Sequence, residues 1–242
     1  MSAGGSGGGA RAGGAEGAGG AAAIPGTFEV PGAGAVSSLL VQPEGARVGY
    51  VLAHGAGAGM RHPFLESMAA RLAARGVATL RYQFPYMEAK KGRTDPPAVA
   101  AAAVRAAVEQ AGRALAGLPL VAGGKSFGGR MTSTAAAEAP LPGVRGLAFL
   151  GFPLHPPGKP GTQRADHLSR VTVPMLFLQG TRDEFAGLDL LEPVVRGLGA
   201  RATLHLVDGG NHSFAVPKST GRGGAEVLDE LAEALSLWAT AL

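Results

Sequence analysis

The stretch LVAGGKSFGGRM, Leu120 to Met131, decides how this chain is read. It contains Gly124-Lys125-Ser126, the end of a phosphate-cradling loop, and also Gly124-Lys125-Ser126-Phe127-Gly128, the Gly-x-Ser-x-Gly pattern of a serine nucleophile. A phosphate loop needs a glycine five positions before the Gly-Lys-Ser, and that position is Pro119. Proline has no N–H to offer a phosphate and cannot take a positive φ. The residues between, LVAG, read as a buried strand, not as a loop that wraps an anion. The nucleophile pattern fits its surroundings better. An apolar strand ends at the serine, a helix begins directly after it, and small residues flank it where a sharp strand-to-helix turn leaves no room for side chains. In a chain with 40 glycines the pentapeptide alone is weak, and the same glycines could serve only close packing of helix on strand, so its partners must carry the argument.

Outward from this turn, short apolar runs alternate with helical patterns. AVSSLLVQ (35–42) and RVGYVLAH (47–54) read as strands forming an antiparallel entry into a sheet. VATLRYQF (77–84), VRGLAFLG (144–151), VPMLFLQG (173–180) and RATLHLVDG (201–209) read as further strands. Leu65, Met68 and Leu72 share one helix face; Val104, Val108, Ala111, Leu115 and Leu118 share another; Leu228, Leu231, Leu235, Trp238 and Leu242 form a last stripe. Continuous apolar strands alternating with helices predict an α/β fold, a mostly parallel sheet covered on both faces, with its site at the carboxyl ends of the strands.

Residues 1–26 are almost all Gly and Ala and are expected to be a disordered tail, leaving residues 27–242 as one domain. Arg11, Glu16 and the lack of bulky apolar residues argue against a signal peptide, and no later segment is long and apolar enough for a membrane span. The chain has no cysteine, which excludes disulfides, thiolate metal sites and a cysteine nucleophile. The net charge of +4 is scattered along the chain, with AKKGR (89–93) its densest basic run, so neither nucleic acid nor membrane is expected as a partner. The expected location is the cytoplasm.

A serine hydroxyl needs a base to take its proton, and in this arrangement the acid and the histidine follow the serine in the chain. His212 lies in DGGNHSF, just past the last strand, on the edge where Ser126 lies. His205 alternates with Leu204 and Leu206 and reads as structural; His167 reads as a surface helix residue. Asp183 follows a buried strand in LQGTRDEF and is the favoured acid, with Glu184, Asp166 and Asp208 as rivals. The backbone N–H groups of Phe127 and Ala56 are the expected oxyanion donors, Ala56 lying in the glycine-rich loop after His54. His54 would order that loop, and Arg61, His62 and His155 are candidates for the site mouth.

With these residues assembled, the chain resembles the α/β-hydrolase superfamily, and within it the dienelactone-hydrolase-related group. That group includes the hydrolase-like domain of a non-specific-lethal chromatin complex subunit and a testis-expressed homologue. The resemblance is carried by HGAGAGMRHPFLESMAARLAARGVATLRYQFPYME, GGKSFGGRM, GFPLHPPGKP, PMLFLQGTRDEF and DGGNHSF, in that order over residues 50 to 215. It implies Ser126 as nucleophile, Asp183 as acid and His212 as base, with no metal or cofactor. Dienelactone hydrolases proper carry a cysteine nucleophile, so a dienelactone substrate is not expected. The short stretch after LAFLG implies an open site without a lid domain. The expected activity is a serine hydrolase acting on a small-molecule ester or related acyl bond; the alternative is a non-catalytic interaction module on the same fold.

Overall fold

The computed structural model describes Met1 and residues 21–242. One eight-stranded sheet runs through the molecule: β1 (Ile24–Val30), β2 (Gly34–Val41), β3 (Val48–Ala53), β4 (Val77–Tyr82), β5 (Leu120–Lys125), β6 (Val144–Leu150), β7 (Met175–Gly180) and β8 (Ala202–Val207). The spatial order is β1-β2-β4-β3-β5-β6-β7-β8. β3 to β8 are mutually parallel; β1 and β2 are antiparallel additions at one side. The helices are α1 (Pro63–Ala73), α2 (Pro85–Glu88), α3 (Pro97–Ala114), α4 (Phe127–Glu138), α5 (Leu188–Gly197) and α6 (Gly224–Thr240).

Two apolar cores, one on each face, explain why the central strands read as unbroken apolar runs. Along β3, Val51 points into the core under α3 and α4, while Tyr50 and Leu52 point into the core under α1 and α6. Every residue of β3, β4 and β7 is buried, as a strand sandwiched between helix layers must be. The helical stripes do what their spacing predicts: Leu65, Met68 and Leu72 of α1 and Leu231 and Leu235 of α6 fill one core, Val104 and Val108 of α3 the other. Arg71 to Asp229 at 3.0 Å and Arg75 to Glu233 at 2.7 Å tie the outer edges of α1 and α6 together.

Two expectations are corrected. The strand pair read at the entry does not form: β2 pairs with β4, while β3 lies between β4 and β5 and runs parallel to both. Apolar patterning marks each strand but carries no information about which neighbour it takes. The domain also begins earlier than residue 27, because β1 starts at Ile24. Pro25 in IPGTFEV suggests a loop, yet a proline is tolerated on an edge strand, and β1 is one. The rest of the expected tail lies almost wholly outside the described residues. The helix read around His167 is a 3-10 helix (Gln163–Arg170), and its buried residues Ala165 and Leu168, three apart, match the three-residue turn of that helix. No lid domain stands between β6 and β7.

The order of strands reverses direction at β3 and β5, since β4 lies on one side of the pair and β6 on the other. The crevice at the carboxyl ends of such a pair is where ligands enter open α/β sheets. Ala53 and Gly124 are register partners there, so the loop after β3 and the turn after β5 meet at this point.

Candidate active site

Ser126 stands between the last residue of β5 and the first of α4, at φ 49° and ψ −114°. A positive φ at a non-glycine residue is strained, and it persists because strand and helix are both packed in place around it. Gly124 and Gly128 are what make the turn possible. A Cβ on Gly124 would strike the Ala53 carbonyl of the neighbouring strand, and one on Gly128 would lie 2.6 Å from the His54 carbonyl oxygen. Close packing and the sharp turn at Ser126 are therefore one feature, and the glycines serve backbone contact.

The loop after β8 brings His212 over this turn. Asn211 shapes it: its Oδ1 accepts the N–H groups of Ser213 and Ala215, each at 2.9 Å. Phe214 adopts φ 62°, which folds the loop back. His212 Nε2 then lies 2.8 Å from Ser126 Oγ, and Nδ1 lies 2.7 Å from Asp183 Oδ2. A carboxylate only accepts, so Nδ1 carries the proton and Nε2 is left to accept the serine hydroxyl.

Asp183 follows β7 and is buried. Its Oδ1 accepts the Phe185 N–H at 2.8 Å, and its Oδ2 also accepts Gln179 Nε2 at 2.5 Å. Each of the rivals Glu184, Asp166 and Asp208 is exposed, and among the described residues none bonds to His212. Phe185 lays its ring against the imidazole, with centroids 4.3 Å apart.

A second serine–histidine pair is present: Ser133 Oγ and His167 Nε2 lie 2.8 Å apart. Its environment is different. Ser133 is fully buried inside α4 and donates its hydroxyl proton to the Arg130 carbonyl at 2.9 Å, so it accepts from His167. Burial, then the charges of Arg130 and Arg170, push His167 down to about 4. His167 is thus a half-buried packing residue, not the surface residue expected. His205 sits on β8 and meets Glu230 at 2.7 Å, a structural contact.

The loop after β3 crosses beside Ser126, close enough that a Cβ on Gly55 would lie 3.9 Å from Ser126 Cβ. Among the described residues, neither Ala56 N–H nor Phe127 N–H has a protein acceptor. His54 orders the loop from beneath. It is wholly buried, its Nδ1–H donates to the Gly55 carbonyl at 2.8 Å, and its Nε2 accepts the Phe84 N–H at 3.1 Å. Burial pushes its pKa down to about 4, so it stays neutral. Tyr86 Oη accepts the Gly57 N–H at 2.9 Å and holds the next stretch of the loop.

A cavity of about 330 Å³ opens at Ser126 and His212. Its remaining wall includes Ala56, His62, Phe64, Leu65 and Phe185. Of the three candidates for the mouth, His62 is in the wall, Arg61 borders separate grooves beside Ser37 and Met60, and His155 is buried with Nδ1 on the Pro156 carbonyl. Among the described residues no group of three or more His, Asp or Glu side chains is placed to hold a metal ion. Nor is any helix of the described residues long and apolar enough to cross a membrane.

The sequence reading missed Gln179, Phe185 and Tyr86. Gln179 left one usable signal, a polar side chain at the end of the otherwise apolar strand MLFLQG, four residues before the aspartate.

Residues 46–240 match the family model described as "Alpha/beta hydrolase domain". The chain belongs to this family. Solved structures share the fold at low identity. A dienelactone hydrolase from Anabaena variabilis is 21% identical with TM-score 0.71, covering 90% of this chain and 97% of that one. An α/β serine hydrolase homologue from Coxiella burnetii is 20% identical with TM-score 0.70, covering 88% and 95%. A lidless α/β serine hydrolase from Xanthomonas campestris is also 20% identical with TM-score 0.70, covering 90% and 95%. In this α/β-hydrolase chain the turn at Ser126 and the loops that carry Asp183 and His212 all project from the carboxyl edge of the sheet.

Proposed function

We propose that this α/β hydrolase is a serine hydrolase that cleaves a carboxylic ester through an acyl-enzyme. The observation that carries the reading is the unbroken line from Ser126 Oγ through His212 to Asp183, at 2.8 and 2.7 Å. Ser126 Oγ attacks the acyl carbon while His212 Nε2 takes its proton, and Asp183 stabilises the resulting imidazolium. The N–H groups of Phe127 and Ala56 face the developing oxyanion, and such fixed donors contribute on the order of 10²–10³ in rate. His212 returns the proton to the departing alcohol oxygen as its bond to carbon breaks. A water then attacks the acyl carbon, giving its proton to His212, and Ser126 leaves with that proton.

The cavity wall indicates the substrate's character. Phe64, Leu65 and Phe185 offer apolar and aromatic surface, so a compact apolar or aromatic group beside the ester suits the site. With no lid domain to open, activity has no need of a lipid interface. A narrower grouping with the dienelactone-hydrolase-related proteins is also proposed, on the strength of GGKSFGGRM and DGGNHSF.

The test is labelling with a fluorophosphonate probe, followed by a series of p-nitrophenyl esters from acetate to long-chain acyl groups. Labelling of the wild type, its loss in Ser126→Ala, and turnover falling off for long chains are expected. A well-folded wild type that neither labels nor hydrolyses any ester would overturn the reading in favour of a non-catalytic module.

A further inference from the structure

Lys125, the middle residue of Gly124-Lys125-Ser126, takes no part in the proposed proton transfers. It ends β5 directly before the nucleophile. It lines the cavity, and its ammonium is engaged by the protein rather than free. Nζ reaches over to the histidine loop and donates to the backbone carbonyl of His212 at 2.6 Å. Among the described residues no other donor reaches that carbonyl.

The surroundings keep the ammonium in this place. It lies 5.4 Å from the centroid of the Phe214 ring, a favourable position for a cation. Phe214 in turn stacks on Phe64, with centroids 5.8 Å apart. Gly151 leaves the space open: a Cβ there would lie 3.0 Å from Lys125 Nζ and 3.5 Å from the His212 ring. Burial pushes the lysine down to about 8, while the charges of Asp183 and Glu184 favour its protonated form. The histidine loop is otherwise fastened on either side of His212, by Asn211 within itself and by Arg182 N–H on the Gly210 carbonyl at 2.8 Å. The histidine's own backbone therefore depends on the lysine.

We propose that Lys125 is a positioning residue, whose ammonium clamps the backbone of His212 so that Nε2 is held at the neighbouring Ser126 hydroxyl. The proposal rests on the serine-hydrolase reading and deepens it. Residues 125 and 126, adjacent in the chain, grip the same histidine at its main chain and at its ring. A loop rich in glycine loses much backbone freedom when fixed, and a charged hydrogen bond at its centre offsets that cost.

The experiment compares wild type, Lys125→Met and Lys125→Cys on the best p-nitrophenyl ester, with thermal melts to verify folding. Methionine keeps an unbranched apolar side chain of similar length and removes the ammonium. The expected result is a fall in kcat of about 10–100-fold with KM within about threefold, since displacement of a catalytic group by an ångström costs on the order of 10²-fold. The chain has no cysteine, so the introduced thiolate of Lys125→Cys is the preferred target of 2-bromoethylamine, which rebuilds a lysine-like ammonium, with equally treated wild type as the control. This treatment should restore most of the lost kcat in the same folded protein, which keeps the test valid if Lys125→Met folds poorly.

A kcat for folded Lys125→Met within about twofold of wild type overturns the positioning role, as does aminoethylation without recovery. Loss confined to KM also overturns it, because a lysine that bound substrate would act there. Fluorophosphonate labelling of the wild type separates the two levels. Labelling with unaffected lysine variants removes only the role of Lys125; a folded wild type without labelling or hydrolysis removes the hydrolase reading and this inference with it.

Discussion

Gln179 and His212 share one carboxylate oxygen. Gln179 Nε2 donates to Asp183 Oδ2 at 2.5 Å and His212 Nδ1 donates to it at 2.7 Å. Gln179 is fully buried, and its own Oε1 accepts the Phe152 N–H at 2.9 Å. The amide thus fixes the Asp183 carboxylate and, through it, the plane of the imidazole. In Gln179→Leu the Phe152 N–H is left unsatisfied and the carboxylate loses a donor. A stability loss of about 1–3 kcal/mol in urea unfolding is expected. Steady-state kinetics on an active ester should show kcat lowered by about tenfold.

Tyr86 acts on the other side of the site. Its hydroxyl holds the Gly57 N–H, next to the proposed oxyanion donor Ala56. Tyr86→Phe keeps the ring packing against Phe127 and removes only that acceptor. The expected outcome is a drop of about 3–30-fold in kcat with a stability change of about 1 kcal/mol, read from kinetics and thermal melts.

Gly128→Ala tests the turn itself. The added methyl would meet the His54 carbonyl oxygen at 2.6 Å and Ala53 Cβ at 2.7 Å, in a region where neither backbone has room to move. Destabilisation of about 3 kcal/mol or more is expected, measured as a shifted urea midpoint or as loss of soluble protein.

Stability should fall in acid for a reason located at two histidines. Burial holds His54 at about 4, and burial with neighbouring arginines holds His167 at about 4, below the ordinary value of 6.5. Between those limits the unfolded chain binds protons that the folded chain refuses, so stability rises with pH across that window and is lost as pH falls through it. Protonating His54 also takes away the acceptor of the Phe84 N–H. Its share of the loss by pH 4 is about 3 kcal/mol, with a smaller share from half-buried His167. Melting temperatures from pH 7 to pH 4 measure the slope, and His167→Gln should flatten part of it. A slope identical in that variant would remove His167 from the account.

What the sequence by itself determined was the periodic part of the molecule and one local motif. Strands covered on both faces are mostly apolar, so β3 to β7 were legible, and edge strand β8 was legible from its alternating leucines; helices with one buried stripe were legible from spacings of three and four. The turn at Ser126 was legible because all its constraints, the ending strand, the small flanking residues and the starting helix, lie within a few positions. The order of serine, acid and histidine along the chain could be read because each follows a recognisable strand.

Only the tertiary structure decided the rest. Strand neighbours are set by contacts between distant segments, so β2 beside β4 rather than β3 had no local mark, and β1 was hidden because its edge position tolerates Pro25. Four acidic residues stood near the expected edge, and only the fold brought Asp183 to 2.7 Å from His212. The bond from Lys125 to the His212 carbonyl spans 87 positions of sequence, and that from Ser126 to the imidazole spans 86. Hydrogen bonds act over about 3 Å of space, whatever the distance along the chain, and that is why patterning could place the loops but not the atoms they bring together.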